Sequence, residues 1–297
     1  MSKEIISNRI QELTPDVKPS TLKTFTTNLN SLFYYSHDKK TELDMNWFSN
    51  HKEVDDSIKH RPKSSQKTIY ASILRILPKD EYYKKKMTEL GIEIKNDLSN
   101  QEKNQKQEEA WKTTEEIQSV YDDLYNRAKP FLNSKTEVSD KDLKNVIDLV
   151  MFALTSGLFL SPRRSMDWTE MKIKNVDKEK DNYIDKNEFV FNAYKTSKNG
   201  SIQQRVPIPK TLKALLNKAI KVNKHDYLLV STTGEKLSSI IITQRLNKLF
   251  GSKTSTSMLR HIYLSNVYKD IPALKEMKEL ADNMGHDVST ALQYVKK

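Results

Sequence analysis

The sequence predicts a mainly α protein with a small β-sheet, divided into two domains, and three observations carry that prediction. Its 297 residues exceed what a single ordinary hydrophobic core serves and suit two. Apolar residues recur at helical spacing through most of the chain, whereas strand-like runs are short and nearly all lie between Met171 and Pro209. The polar segment Ser99 to Trp111 (SNQEKNQKQEEAW) has almost no apolar content until its end and reads as an exposed connector. The predicted division is a helical domain at 1–98, a linker at 99–111 and a mixed α+β domain at 112–297.

In the first part, Pro19 and Ser20 precede a stripe of Leu22, Phe25, Leu29, Leu32 and Phe33, a core-facing helix. A second stripe, Ile69, Ile73, Ile76 and Leu77, stops at Pro78, which cannot continue a helix. In the second part Thr113 or Thr114 caps a helix running through Tyr125, and Ser139-x-x-Asp142 resembles a capping box with Asp in the usual Glu position. The helix that follows, Lys141 to Ser156, is apolar nearly all round and belongs at the centre of its domain. Strand-like runs come next at Met171–Val176, Glu188–Lys195 and Ile202–Pro209, with Asn199-Gly200 as a turn signal. The remainder reads as helical, apart from a short run at Tyr227–Ser231.

Composition narrows the function. No run approaches the roughly 20 apolar residues of a membrane span, and the polar start MSKEIISNRI lacks a secretory signal, so an intracellular protein that is not secreted is expected. With no cysteine, disulfide scaffolds, thiol catalysis and cysteine-zinc sites are excluded. Fifty basic against 39 acidic residues give a net charge of +11, with both parts of the chain basic, which suits a polyanionic partner. Only nine of the basic residues are Arg, so each Arg raises the question of why it is not Lys.

Two of the nine are Arg163 and Arg164. With Ser161 as N-cap and Pro162 at the first helical position, both fall in the first turn of a helix, where free N–H groups favour an anion but the macrodipole disfavours a cation. A bound phosphate accounts for such a placement better than helix stability does. Lys195 ends a strand-like run and begins the turn Lys195–Gly200, from which a flexible ammonium can swing onto a substrate. Ser257, Arg260, His261 and Leu264 share one face at helical spacing, part core and part polar, and His261 taken alone reads as a hydrogen-bonded core histidine. Near the end of the chain Gly285 reads as a helix stop before His286, and Val288, Ala291, Leu292 and Val295 form an apolar face that leaves Tyr294 on the flank. The acids of Asp177-x-Glu179-x-Asp181 to Glu188 have calcium-loop spacing, but strand-like flanks make this an acidic hairpin loop.

Taken in order, Arg163, Lys195, Arg260, His286 and Tyr294 resemble the active-site series of the tyrosine recombinases, the phage-integrase family. Gly157…Arg163-x-Ser165 is similar to the first-arginine box, Leu259-Arg260-His261 to the second, and Met284-Gly285-His286…Tyr294 to the terminal box. The resemblance spans the second part of the chain, and the first looks like the family's core-binding domain. It implies a tyrosine-recombinase catalytic domain and a site-specific recombinase or integrase of mobile elements or viruses. Such an enzyme binds double-stranded DNA as a homo-tetramer and cleaves and rejoins strands through a 3′-phosphotyrosine, with no metal or cofactor. It makes Tyr294 the nucleophile, Arg163 and Arg260 the phosphate clamp, Lys195 the acid for the leaving 5′-oxygen and His286 a phosphate or base partner, with Ser257, His261 and Arg164 in support. The chain departs from the pattern in several places. Ser257 stands where the family usually has His, Met166, with Asp167 next to it, where Glu commonly follows the first arginine by three, and His286 and Tyr294 are one residue closer than usual. Three residues follow Tyr294, so the C-terminal helix many members pass to a neighbour is expected to be absent or truncated. A type IB topoisomerase and a DNA-binding descendant without strand transfer stay open beside the recombinase.

Overall fold

A computed structural model describes residues 2–194, 203–284 and 287–289. The chain divides into two compact units. One takes the residues up to Glu102 with the segment from Pro272, and the other is Lys103–Ile271.

The first unit is helical: α1 (Ser2–Leu13), α2 (Pro19–Ser36), α3 (His51–Ile58), α4 (Lys63–Ile73) and α5 (Glu81–Ser99), with a 3₁₀ turn at Met45–Ser49. Pro19 opens α2 at its first position, and Leu29, Leu32 and Phe33 of the expected stripe are buried, with Leu22 and Phe25 packed against them. The stripe of α4 outlasts its helix: Ile69 and Ile73 lie on the helix, while the buried Ile76 falls in the turn beyond it. Trp47 and Phe48 on the 3₁₀ turn complete the core, Trp47 meeting Phe33 edge to face with ring centres 5.6 Å apart. Asp80 caps α5 by accepting from Tyr83 N–H. The hydroxyls of Tyr70 and Tyr82 both donate to Asp55. That carboxylate, after burial in one case and before it in the other, holds both phenols above their ordinary range, Tyr82 at about 12.

In the second unit, the stretch read as a linker carries a short helix of its own, α6 (Gln105–Ala110), with a capping box between Asn104 and Gln107. Next is α7 (Thr114–Leu132), which Thr113 caps in a box with Glu116, and which runs two turns past the predicted Tyr125. In α8 (Asp140–Thr155), Ser139 caps through Asp142 N–H, but the shorter Asp142 carboxylate accepts from the Ser139 hydroxyl at 2.7 Å. From Val146 to Thr155 every residue of α8 is buried, as expected of the central helix. After α9 (Ser165–Thr169) come β1 (Met171–Lys172), β2 (Asn182–Asp185), β3 (Glu188–Phe191) and β4 (Gln204–Pro207). They form one sheet in the order β1-β2-β3-β4, with β1 parallel to β2 and the other pairs antiparallel. The helices α10 (Lys210–Val222), α11 (Ser239–Phe250) and α12 (Thr256–Val267) complete the unit. A last helix, α13 (Leu274–Asn283), groups with the first unit, where Leu274 N–H donates to Gln101 at 2.7 Å.

The strands correct the sequence in detail. Each predicted run is longer than its strand, and β2 passes through the stretch read as an acidic hairpin loop. Asn182 sets β2 in place. It is fully buried, donates to the carbonyls of Asp167 and Ala193 and accepts from Asn192 and Ala193 N–H. The acids around it are neutralised by neighbours: Lys172 pairs with Asp181, Lys180 with Asp177, and Arg205 with both Asp185 and Glu188. Among the described residues no group of three His, Asp or Glu side chains is placed to hold a metal ion. No helix among them is long and apolar enough to cross a membrane.

Candidate active site

The segment that leaves α8 turns sharply at Gly157, whose φ of +88° favours glycine. A Cβ there would stand 2.9 Å from the ring of Tyr263 and 3.3 Å from Pro162, so conformation and space both demand Gly. Four residues on, the Ser161 hydroxyl meets the Tyr263 hydroxyl at 3.0 Å. The segment is thereby fastened to α12, the helix that carries Arg260.

The expected helix start is corrected. Ser161 is no N-cap and Pro162 no first helical residue; α9 begins at Ser165, with Arg164 before it in extended conformation (φ −67°, ψ 144°). Both arginines precede the five-residue helix instead of lying in its first turn. The cause is visible in Arg163, which is drawn into the domain. Its Nε donates to Asp167 at 2.8 Å, its Nη2 donates to Gln204 at 2.9 Å, and its guanidinium carbon lies 3.9 Å from the centre of the Phe191 ring.

Asp167 was not anticipated as a site residue, yet it is the charge about which the region is organised. It is 3% exposed. Burial holds its carboxyl above the ordinary range, while the charge and hydrogen bond of Arg163, and then the charges of Arg164 and Arg260, draw it down. Three arginines, one of them almost a hundred residues distant in sequence, therefore act on one carboxylate. Beneath it Trp168 is fully buried between Phe189 and Phe191, at ring separations of 5.0 and 5.4 Å, so the floor under Arg163 is aromatic.

Because its pKa is raised, Asp167 takes up its proton in the folded state at a pH where the unfolded chain is still ionised. Stability from this group thus grows as pH falls through that window toward about 4. In urea denaturation at a series of pH values, wild type should gain stability relative to Asp167→Asn on acidification from neutrality. A constant difference would show that the carboxyl is not perturbed.

On α12, Thr256, Leu259 and Ile262 face the core. Arg260 is half-buried, and Ser257, His261 and Leu264 are exposed, so the expected part-core face is the solvent face. His261 is accordingly no core histidine. His261 and Ser257 are both exposed on the helix that carries Arg260. Lys195, His286 and Tyr294, like the Asn199-Gly200 turn, lie outside the described residues. In sequence, Lys195 falls between β3 and β4, which pair from Glu188 with Pro207 to Phe191 with Gln204. The residues that the sequence did not single out for the site are Asp167, Gln204 and Phe191. Each acts through a partner distant in the chain except Asp167, whose signal was its position close after the two arginines.

This architecture, mainly helical with a four-stranded mixed sheet, is the fold of the lambda integrase catalytic domain, a tyrosine-recombinase fold. No protein-family model and no curated protein matches the chain. Among solved structures it is similar to a lambda integrase dimer bound to a COC′ core site, with a TM-score of 0.52 and 13% identity over 94% of each chain. It is also similar to a lambda integrase tetramer bound to a Holliday junction, with a TM-score of 0.53 and 12% identity over 91% of this chain and 74% of that one.

Proposed function

We propose that the chain is a site-specific DNA recombinase or integrase that cleaves and rejoins strands through a 3′-phosphotyrosine. The observation that carries this reading is that Arg163 binds the buried Asp167 carboxylate while the charges of Arg164 and Arg260 also act on it, on a fold shared with lambda integrase. A surface built only for solubility has no need to gather three of nine arginines there. A paired guanidinium clamp, by contrast, suits a phosphate whose non-bridging oxygens gain charge in a pentacoordinate transition state.

In this reading Tyr294 attacks the scissile phosphorus, its proton passing to His286 or to a neighbour of Ser257. The bond to the 5′-oxygen breaks as Lys195 delivers a proton to it. A 5′-hydroxyl from a second strand then reverses the step, so the energy of the phosphodiester is conserved. Four copies assemble on double-stranded DNA inside the cell, and the gene belongs to a mobile element or virus. Every role is filled by a side chain, so no metal or cofactor enters.

The test uses the full chain and nicked duplexes taken from DNA flanking its gene, in the presence of EDTA. A denaturant-resistant protein–DNA adduct is expected. Adduct formation that needs added magnesium or calcium would contradict the mechanism. Robust relaxation of a supercoiled plasmid lacking the flanking sequence would identify a topoisomerase instead, and no adduct on any duplex would leave only a DNA-binding module.

A further inference from the structure

We infer that Arg164, not Arg163, is the arginine this loop presents to the scissile phosphate, and that Arg163 is the internal brace that aims it. The inference rests on the strand-transfer reading above and assigns a residue within it.

The two neighbouring side chains have opposite surroundings. Arg163 is committed: the edge formed by Nε and Nη2 is engaged by Asp167 and Gln204, and the Phe191 ring covers one face. Its side chain is 21% exposed. To grip a phosphate with two parallel N–H groups it would have to abandon a buried carboxylate or rely on its remaining end alone. Arg164 is exposed, and among the described residues its guanidinium donates no hydrogen bond. Its backbone is extended, and in extended chain successive side chains point to opposite sides, so inward commitment of Arg163 turns Arg164 outward.

Arg164 is nevertheless held near the right place. Its own carbonyl accepts from Asp167 N–H at 3.0 Å, and its charge and that of Arg260 are both felt by the Asp167 carboxylate. Of that carboxylate's two oxygens, Oδ2 receives Arg163, while Oδ1 is buried and accepts no hydrogen bond among the described residues. One oxygen of Asp167 is thus left without a hydrogen bond among the described residues, beside the arginine that Asp167 braces.

The experiment compares Arg163→Lys and Arg164→Lys in the full chain, each keeping its charge and losing its fork. Arg164→Lys should melt at the wild-type temperature and form the covalent adduct on the order of 100-fold more slowly, the usual loss for one transition-state donor. Arg163→Lys should melt several degrees lower, because one ammonium cannot serve Asp167 and Gln204 while lying over Phe191. Assayed well below its melting point, it should slow by less than about tenfold. The reverse pattern, with Arg164→Lys as fast as wild type and Arg163→Lys stable but slow, would overturn the assignment.

A second readout does not depend on cleavage. Phenylglyoxal labelling of wild type, mapped by mass spectrometry, should modify Arg164 in the free chain, and saturating duplex DNA should protect it. Equal labelling with and without bound DNA would also overturn the assignment. A wild type that protects Arg164 yet forms no adduct would defeat the strand-transfer step alone, whereas a chain that binds no DNA defeats both readings.

Discussion

Replacing Tyr294 by Phe should abolish the covalent protein–DNA adduct while leaving DNA affinity nearly unchanged. A phenol is almost wholly protonated at neutral pH, so an attacking tyrosine must stand free to give its proton to a base and its oxygen to phosphorus. The competing tyrosines near Arg260 do not meet that condition equally. Tyr263 is half-buried, with its ring closed over by Gly157 and its hydroxyl joined to Ser161. Tyr268 is exposed but lies at the C-terminal cap of α12, two turns beyond Arg260. Tyr294 follows Gly285-His286 in sequence and is the nucleophile in the proposed reading. The substitution removes one oxygen and no ring, so a denaturing gel after incubation with nicked DNA isolates the chemistry. An adduct that survives in Tyr294→Phe would move the nucleophile elsewhere. Tyr263→Phe is the matched control: it should retain the adduct and lose about 1 kcal/mol of stability with the Ser161 hydrogen bond.

Trp168→Ala should be the most damaging of the stability variants considered, at about 3–5 kcal/mol. The side chain is wholly buried, and Phe189 and Phe191 meet it edge to face at interplanar angles of 75° and 73°. Removing it leaves a cavity in a floor whose other surface carries Arg163, so the loss reaches the site as well as the core. Trp168→Phe should cost far less than truncation. The indole Nε1 is buried and finds no hydrogen-bond partner among the described residues, so its removal relieves an unsatisfied donor worth roughly 1–3 kcal/mol and offsets part of the lost volume. Urea denaturation followed by circular dichroism distinguishes the two. A loss below 1 kcal/mol for Trp168→Ala would show that this aromatic floor does not hold the second unit together.

How far the sequence revealed this protein depended on whether a signal was local. The stripes of α2 and α8 were legible because burial on one face, or on all faces, writes itself directly into residue spacing. Helix α1 was missed because only Ile6 and Ile10 of its twelve residues are buried, too few to make a stripe. Strand β2 was hidden by the acids in and around it, which read as a loop until Lys172 and Arg205 are seen to pair with Asp181 and Asp185. Among the site residues, Arg163, Arg164 and Arg260 were found through their rarity and motif positions, whereas the inward turn of Arg163 depends on Gln204 and Phe191, which no local pattern connects to it. One difficulty at Met166 also has a simpler form. Counted from Arg164 instead of Arg163, the acid three residues on is Asp167, which is buried where Met166 is exposed.

The fastening of Ser161 to Tyr263 makes the site resemble a calliper. One jaw is the segment ending at Arg163 and Arg164, the other is the turn of α12 that carries Arg260, and the rivet lies two residues from the first jaw and three from the second. One hydrogen bond, beside the close approach at Gly157, therefore ties the segment of Arg163 and Arg164 to the helix of Arg260 within the second unit.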